Sequence, residues 1–123
     1  MSRYVTVRTQ LRDMGLLRQT LQCMGLALQE GAGAWPLAGG RKADLVAQTP
    51  GGPVGFTQAE GEEITVVGME EALRRGAGAR FLRQVTQQYA RRKVVSEAER
   101  AGYRLVEETV DADDTIRLVV RRW

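Results

Sequence analysis

From Arg80 to Ala101 the apolar residues Phe81, Leu82, Val85, Tyr89, Ala90, Val94, Ala98 and Ala101 drift along one face, as a long helix requires. Gly102 fits the position just past the end of that helix. Tyr103 to Val110 and Thr115 to Trp123 then read as two strands around the turn-rich Asp111-Ala112-Asp113-Asp114. On the last strand Ile116, Leu118 and Val120 face one way, and Arg117, Val119, Arg121 and Trp123 the other.

The rest of the chain adds more strand than helix. Arg3 to Thr9 alternates Tyr4, Thr6 and Arg8 against Val5 and Val7, a strand pattern. Asp13 stands where a helix N-cap belongs, with Leu16, Leu17, Leu21 and Met24 at helical spacing and Gly25 beyond the end. Leu26 to Glu30 reads as a short strand, and Gly31 to Gly40, which includes Trp35, reads as a mobile loop. In the strand Lys42 to Gln48, Ala43, Leu45 and Ala47 alternate against Asp44 and Val46, and Thr49 to Pro53 is a turn. Val54 to Thr57 pairs with Glu63 to Val67 across a tip at Glu60-Gly61. Met69 to Gly78 mixes one or two helical turns with the breakers Gly76 and Gly78. The expected fold is α+β: one compact domain over 1–123, a mainly antiparallel sheet with two helices packed on one face.

Composition removes several chemistries. At 123 residues, 43% hydrophobic and 27% charged, the chain suits one globular domain. It carries neither a bilayer-length apolar run nor a secretory leader pattern after Met1, so a soluble cytoplasmic protein is expected. With no histidine, the commonest general base and metal ligand are missing, and histidine-based triads are excluded. The single Cys23 cannot form an internal disulfide, and next to Met24 it reads as a buried small hydrophobe. No catalytic residue, metal ligand or cofactor site is expected. Asp111, Asp113 and Asp114 are too few for a calcium loop. Gly33 lacks the second glycine of a phosphate loop, since position 38 is alanine. Tyr89 and Lys93 share the spacing of a dehydrogenase dyad, but without a nucleotide fingerprint Tyr89 reads as core. Asp44 could act only in a site completed by another chain.

Two groups of cations remain. The net charge is +3, and of the 18 cationic side chains only Lys42 and Lys93 are lysine. Arginine suits bidentate pairing with carboxylate or phosphate. Arg91, Arg92 and Lys93, with Arg80, Arg83 and Arg100 on the same helix, could track a phosphate backbone. The plainer reading is a solvated helix face with pairs such as Lys93 to Glu97. Arg117, Arg121, Arg122 and Trp123 have the composition of an interface hot spot, or of a tryptophan covering a sheet edge among solvated arginines.

Several segments also resemble a known family. Thr6-Val7-Arg8-Thr9, Lys42-Ala43-Asp44-Leu45-Val46, Gly55-Phe56, Gln88-Tyr89-Ala90 with Lys93-Val94, and Ile116 to Trp123 are similar to the hypothetical chloroplast reading frame thirty-five family. Where members tend to carry tryptophans after the Gly-Phe hairpin, this chain reads Val66-Val67-Gly68-Met69. That family has no established activity. Its gene company implies a component of a multi-protein system that includes an AAA-type ATPase. The expectation is therefore a non-enzymatic accessory or adaptor protein using Arg117, Arg121, Arg122 and Trp123. The alternative is a nucleic-acid-binding module using Arg91, Arg92 and Lys93.

Overall fold

The structure, a computed structural model, describes residues 4–37, 41–73, 77–113 and 115–122. Its contacts gather into two units, Met1–Val85 and Thr86–Trp123.

The first unit is built on a five-stranded antiparallel sheet. Its strands are β1 (Tyr4–Arg8), β2 (Leu28–Leu37), β3 (Arg41–Thr49), β4 (Gly52–Thr57) and β5 (Thr65–Met69), in the order β1-β5-β4-β3-β2. Helix α1 (Met14–Cys23) starts at Asp13, whose carboxylate accepts the Leu16 amide at 3.0 Å. This cap satisfies a donor that the first helical turn leaves unpaired. The helix buries Leu17, Thr20 and Leu21, and the Thr20 hydroxyl donates to the Leu16 carbonyl at 2.8 Å. Gly25 follows at φ 81°, the left-handed conformation that closes a helix.

Register places Val5, Gly68, Val54 and Ala47 on one sheet face, with Val66, Phe56 and Leu45 beside them. All are buried, with Phe56 and Val54 fully enclosed. Burial extends beyond that face. Val46, expected on the polar side of its strand, is 1% exposed and clusters with Ala43 and Val67, with Tyr4 packed against them. Periodicity could not show this second small core, because the residues that build it come from separate strands.

Three other expectations are corrected. Gly31 to Leu37 belongs to β2 rather than to a loop, whereas residues 38–40 of that expected loop lie outside the described residues. A register shift between Glu30 and Trp35 absorbs the small residues, after which Trp35, Pro36 and Leu37 pair with Ala43, Lys42 and Arg41. An edge strand tolerates this, since its outer side needs no ladder donors from glycine or proline. The strand expected at Glu63 to Val67 is displaced to Thr65–Met69. Ile64 instead donates its amide to the Leu11 carbonyl at 2.7 Å, and its own carbonyl accepts the Thr9 hydroxyl at 2.7 Å. Cys23 is exposed, not buried, because it ends α1 two residues beyond Leu21, on the far side of the buried stripe.

The ambiguous stretch after β5 resolves into helix α2 (Glu70–Leu73), then helix α3 (Ala77–Arg100); Arg74, Arg75 and Gly76 lie outside the described residues. The short α2 fits only where neighbouring side chains are missing. Leu73 touches the site where Gly68 lacks a Cβ, and Ala72 lies against Gly51 and Gly78. Gly78, read as a breaker, is the second residue of α3 and lets the backbones of the two helices approach.

The second unit holds the end of α3 and the hairpin β6 (Tyr103–Val110) and β7 (Ile116–Arg122). Gly102 turns the chain at φ 89°, as the sequence predicts. A register shift between Leu105 and Glu107 makes Val106 the extra residue of a bulge. The pairs Tyr103–Arg122, Leu105–Val120, Glu108–Leu118 and Val110–Ile116 share one face, and Arg104–Arg121, Glu107–Val119 and Thr109–Arg117 the other. The α+β class is thus observed, with antiparallel pairing throughout both sheets.

Candidate functional site

Arg91, Arg92, Lys93 and the cations of the last strand fall in the second unit, whereas Arg80 and Arg83 fall in the first, and the structure treats these side chains differently. Arg91 grips Glu108 with two donors: Nε pairs with Oε2, and an Nη donates to Oε1 at 2.9 Å. This bidentate clamp holds Glu108 below the usual carboxylate range and raises Arg91 above its ordinary value. Arg117 pairs with Asp111 at 3.3 Å. Arg122 lies over the Tyr103 ring, 5.8 Å from its centroid, as their cross-strand register allows. Arg92 is half-buried, while Lys93 and Arg121 are exposed.

Strand register places three of the four residues expected at an interface, and Arg117 and Arg121 share a face as alternation predicts. Arg117 and Arg121 stand on the outer face of β7 with Val119, whereas Arg122 turns to the face of Ile116, Leu118 and Val120. Trp123 lies outside the described residues.

Sequence reasoning missed the apolar surface between these cations. Gln87, Ala90, Arg91 and Val94 of α3 recur at i, i+3, i+4 and i+7, and with Thr115, Ile116 and Leu118 they line an open groove of about 350 Å³. Every large hydrophobic side chain exposed among the described residues belongs to this unit: Val94 50%, Val106 41%, Val110 62% and Val119 43%. No described residue of β6 or β7 is buried. By spacing alone Val94 falls on the helix's apolar stripe. The stripe drifts around a helix this long, so Phe81, Val85 and Tyr89 are buried while Val94 is not.

Other candidates are structural. Tyr89 is 4% exposed, as a core residue should be. Asp44 accepts the Gln58 amide at 3.1 Å, and the Gln58 side chain donates to the Arg12 and Glu62 carbonyls at 2.7 and 2.9 Å, so Asp44 helps to hold a turn. The Thr115 hydroxyl and amide hold Asp113 below the carboxylate range, with the amide contact at 3.2 Å. Asp114 lies outside the described residues. Among the described residues no group of three or more Cys, Asp or Glu gathers in a metal-holding cluster. A polar groove of about 290 Å³ runs beside Arg8, Arg12, Glu62 and Glu63 in the first unit, where Arg12 approaches Glu63 at 3.9 Å.

The Arg91–Glu108 clamp makes a pH prediction. A lowered carboxyl stabilises the folded form above the ordinary glutamate range, and that contribution is lost as pH falls through the lowered value. Arg91 stays charged throughout, so the acid limb belongs to Glu108 alone. The Arg91 Nε–H signal in NMR should persist below the ordinary glutamate range and disappear under stronger acid. In Glu108→Gln this acid step should be absent.

Similarity to known proteins covers nearly the whole chain. Residues 20–119 match the family described as "Protein of unknown function (DUF1257)". Two relatives are each called "Uncharacterized protein ycf35". The one from Cyanophora paradoxa is 28% identical over 126 residues, spanning 100% of this chain and 98% of its own. The other, from Pyropia yezoensis, is 25% identical over 126 residues with the same coverage, 100% and 98%. No solved structure matches. The match over residues 20–119 takes in four of the five first-unit strands, α3 and most of the terminal hairpin, and the chain belongs to the DUF1257 family, in agreement with its resemblance to the chloroplast reading frame thirty-five proteins.

Proposed function

We propose that this chain is a non-enzymatic accessory or adaptor protein that binds another protein through its second unit. The observation that carries the reading is the concentration of exposed valines at 94, 106, 110 and 119 in this one unit, with Val94 lining an open groove against Ile116 and Leu118. Exposed apolar side chains grouped beside cations are the makings of a protein interface. A two-stranded hairpin without a buried residue also has little stability of its own, and a partner covering its apolar face would supply more. An AAA-type ATPase, the partner class implied by the family resemblance, is the first to test.

The nucleic-acid reading is weaker on two counts. Glu108 already engages Arg91, the centre of the basic helix face. Residues 86–123 carry eight Arg and Lys against seven Asp and Glu, too even a balance for a phosphate-tracking surface.

The test is affinity capture from native lysate with the full chain, beside a Val94→Ser, Val110→Ser, Arg121→Glu variant. A specific partner should be retained by the parent and lost by the variant at unchanged thermal stability. Equal capture by both would refute the reading. So would salt-steep binding of duplex or single-stranded nucleic acid, which the alternative requires.

A further inference from the structure

Among the described residues β7 has a strand neighbour on one side only, since its sheet consists of β6 and β7. Along its other edge the ladder groups pair with no described strand, which makes that edge a template for an added strand. The groove lies on the β7 side of the unit: its lining comes from α3 and from Thr115, Ile116 and Leu118, with no residue of β6. A strand laid along β7 would point every second side chain into that groove, towards Ala90 and Val94. Its remaining side chains would lie beside Arg117, Val119 and Arg121 on the outer face. Arg121 is exposed and makes no ion pair with a described residue.

We propose that the free edge of β7 binds a partner protein's extended segment in which apolar and acidic residues alternate. Apolar positions fill the groove, and acidic positions meet Arg121, with Arg117 beside it in an exposed pair with Asp111 that a partner carboxylate can share. Charge selects this occupant over a second copy of the chain. Pairing β7 with another β7 would gather Arg117 and Arg121 from both copies on one small sheet face, and neighbouring like charges oppose cross-strand pairing. The mode is strand addition, in which backbone hydrogen bonds supply affinity and alternate side chains supply specificity. This inference rests on the adaptor reading and specifies the chemistry of its partner.

The probe is a short capped peptide of alternating glutamate and valine, labelled with fluorescein and titrated with the full chain by anisotropy. Saturable binding is expected, with about fivefold to tenfold loss for Arg121→Glu, where cross-strand attraction becomes repulsion. A lysine-for-glutamate peptide should lose at least as much, and a fully N-methylated peptide, which cannot donate to the edge, should not bind. Because the last two arms change only the peptide, folding of a variant does not enter. Absence of binding, equal binding of the lysine peptide, or retained binding after N-methylation each overturns the proposal. Self-association in sedimentation that Arg121→Glu alters would assign the edge to a second copy and overturn it too. If the peptide fails while lysate capture still depends on the second unit, the adaptor reading stands and strand addition falls.

Discussion

Gly78→Ala is expected to destabilise the protein by about 3 kcal/mol, even though alanine is the better helix former. A Cβ on Gly78 would lie 2.3 Å from the Ala72 carbonyl carbon, 2.4 Å from its oxygen and 2.7 Å from the Glu71 oxygen. All three are backbone atoms of α2, so no side-chain rotation can relieve the overlap. The helix-propensity gain of roughly 1 kcal/mol is too small to offset it. Gly15→Ala in α1 is the matched comparison, since its Cβ would meet only the Asp13 carboxylate oxygen at 3.3 Å, and the slight adjustment this asks of the cap roughly cancels the propensity gain. Urea unfolding should show a large fall in midpoint for the first variant and little change for the second. An unchanged or raised midpoint for Gly78→Ala would mean that α2 and α3 do not approach in this way.

Truncating Phe56 should have the largest effect of any single core change. Its ring is among the largest fully buried side chains and sits with Val54, Val66 and Leu45 on the main sheet face. Phe56→Ala removes that buried area and leaves a cavity that the surrounding strands can fill only in part. The expected cost is about 3–5 kcal/mol. Val119→Ser, on the outer face of β7 and 43% exposed, should change stability by no more than about 0.5 kcal/mol. The contrast checks the assignment of the outer β7 face as binding surface. If Val119→Ser were as damaging as a core truncation, the outer face would be packed and unavailable to a partner.

The candidate site was only partly legible in the sequence. Arg91 and Arg117 stood out as cations, but their carboxylate partners Glu108 and Asp111 could be identified only once the hairpin and helix were folded. Arg91 and Glu108 stand seventeen positions apart, and nothing in local patterning links them. The bulge at Val106 also changes which β6 residues share a face, so strict alternation along that strand misplaces its later side chains. The exposed valines were hidden for a similar reason, because an apolar residue in a helical or strand pattern looks the same whether its neighbours cover it or not.

Local chemistry set α1 with its Asp13 cap, the glycine closures at Gly25 and Gly102, the long α3, and the alternating β1 and β7. Each of these depends on residues within a turn or two of one another, so the order of amino acids is sufficient. Tertiary structure alone decided the extension of β2, the burial of Val46, the close contact at Gly78, the exposure of Cys23 and the open groove beside β7. The physical reason is that burial, register and charge pairing are properties of segments brought together from afar. They exist only after the chain has paid the entropy of closing the loops between them.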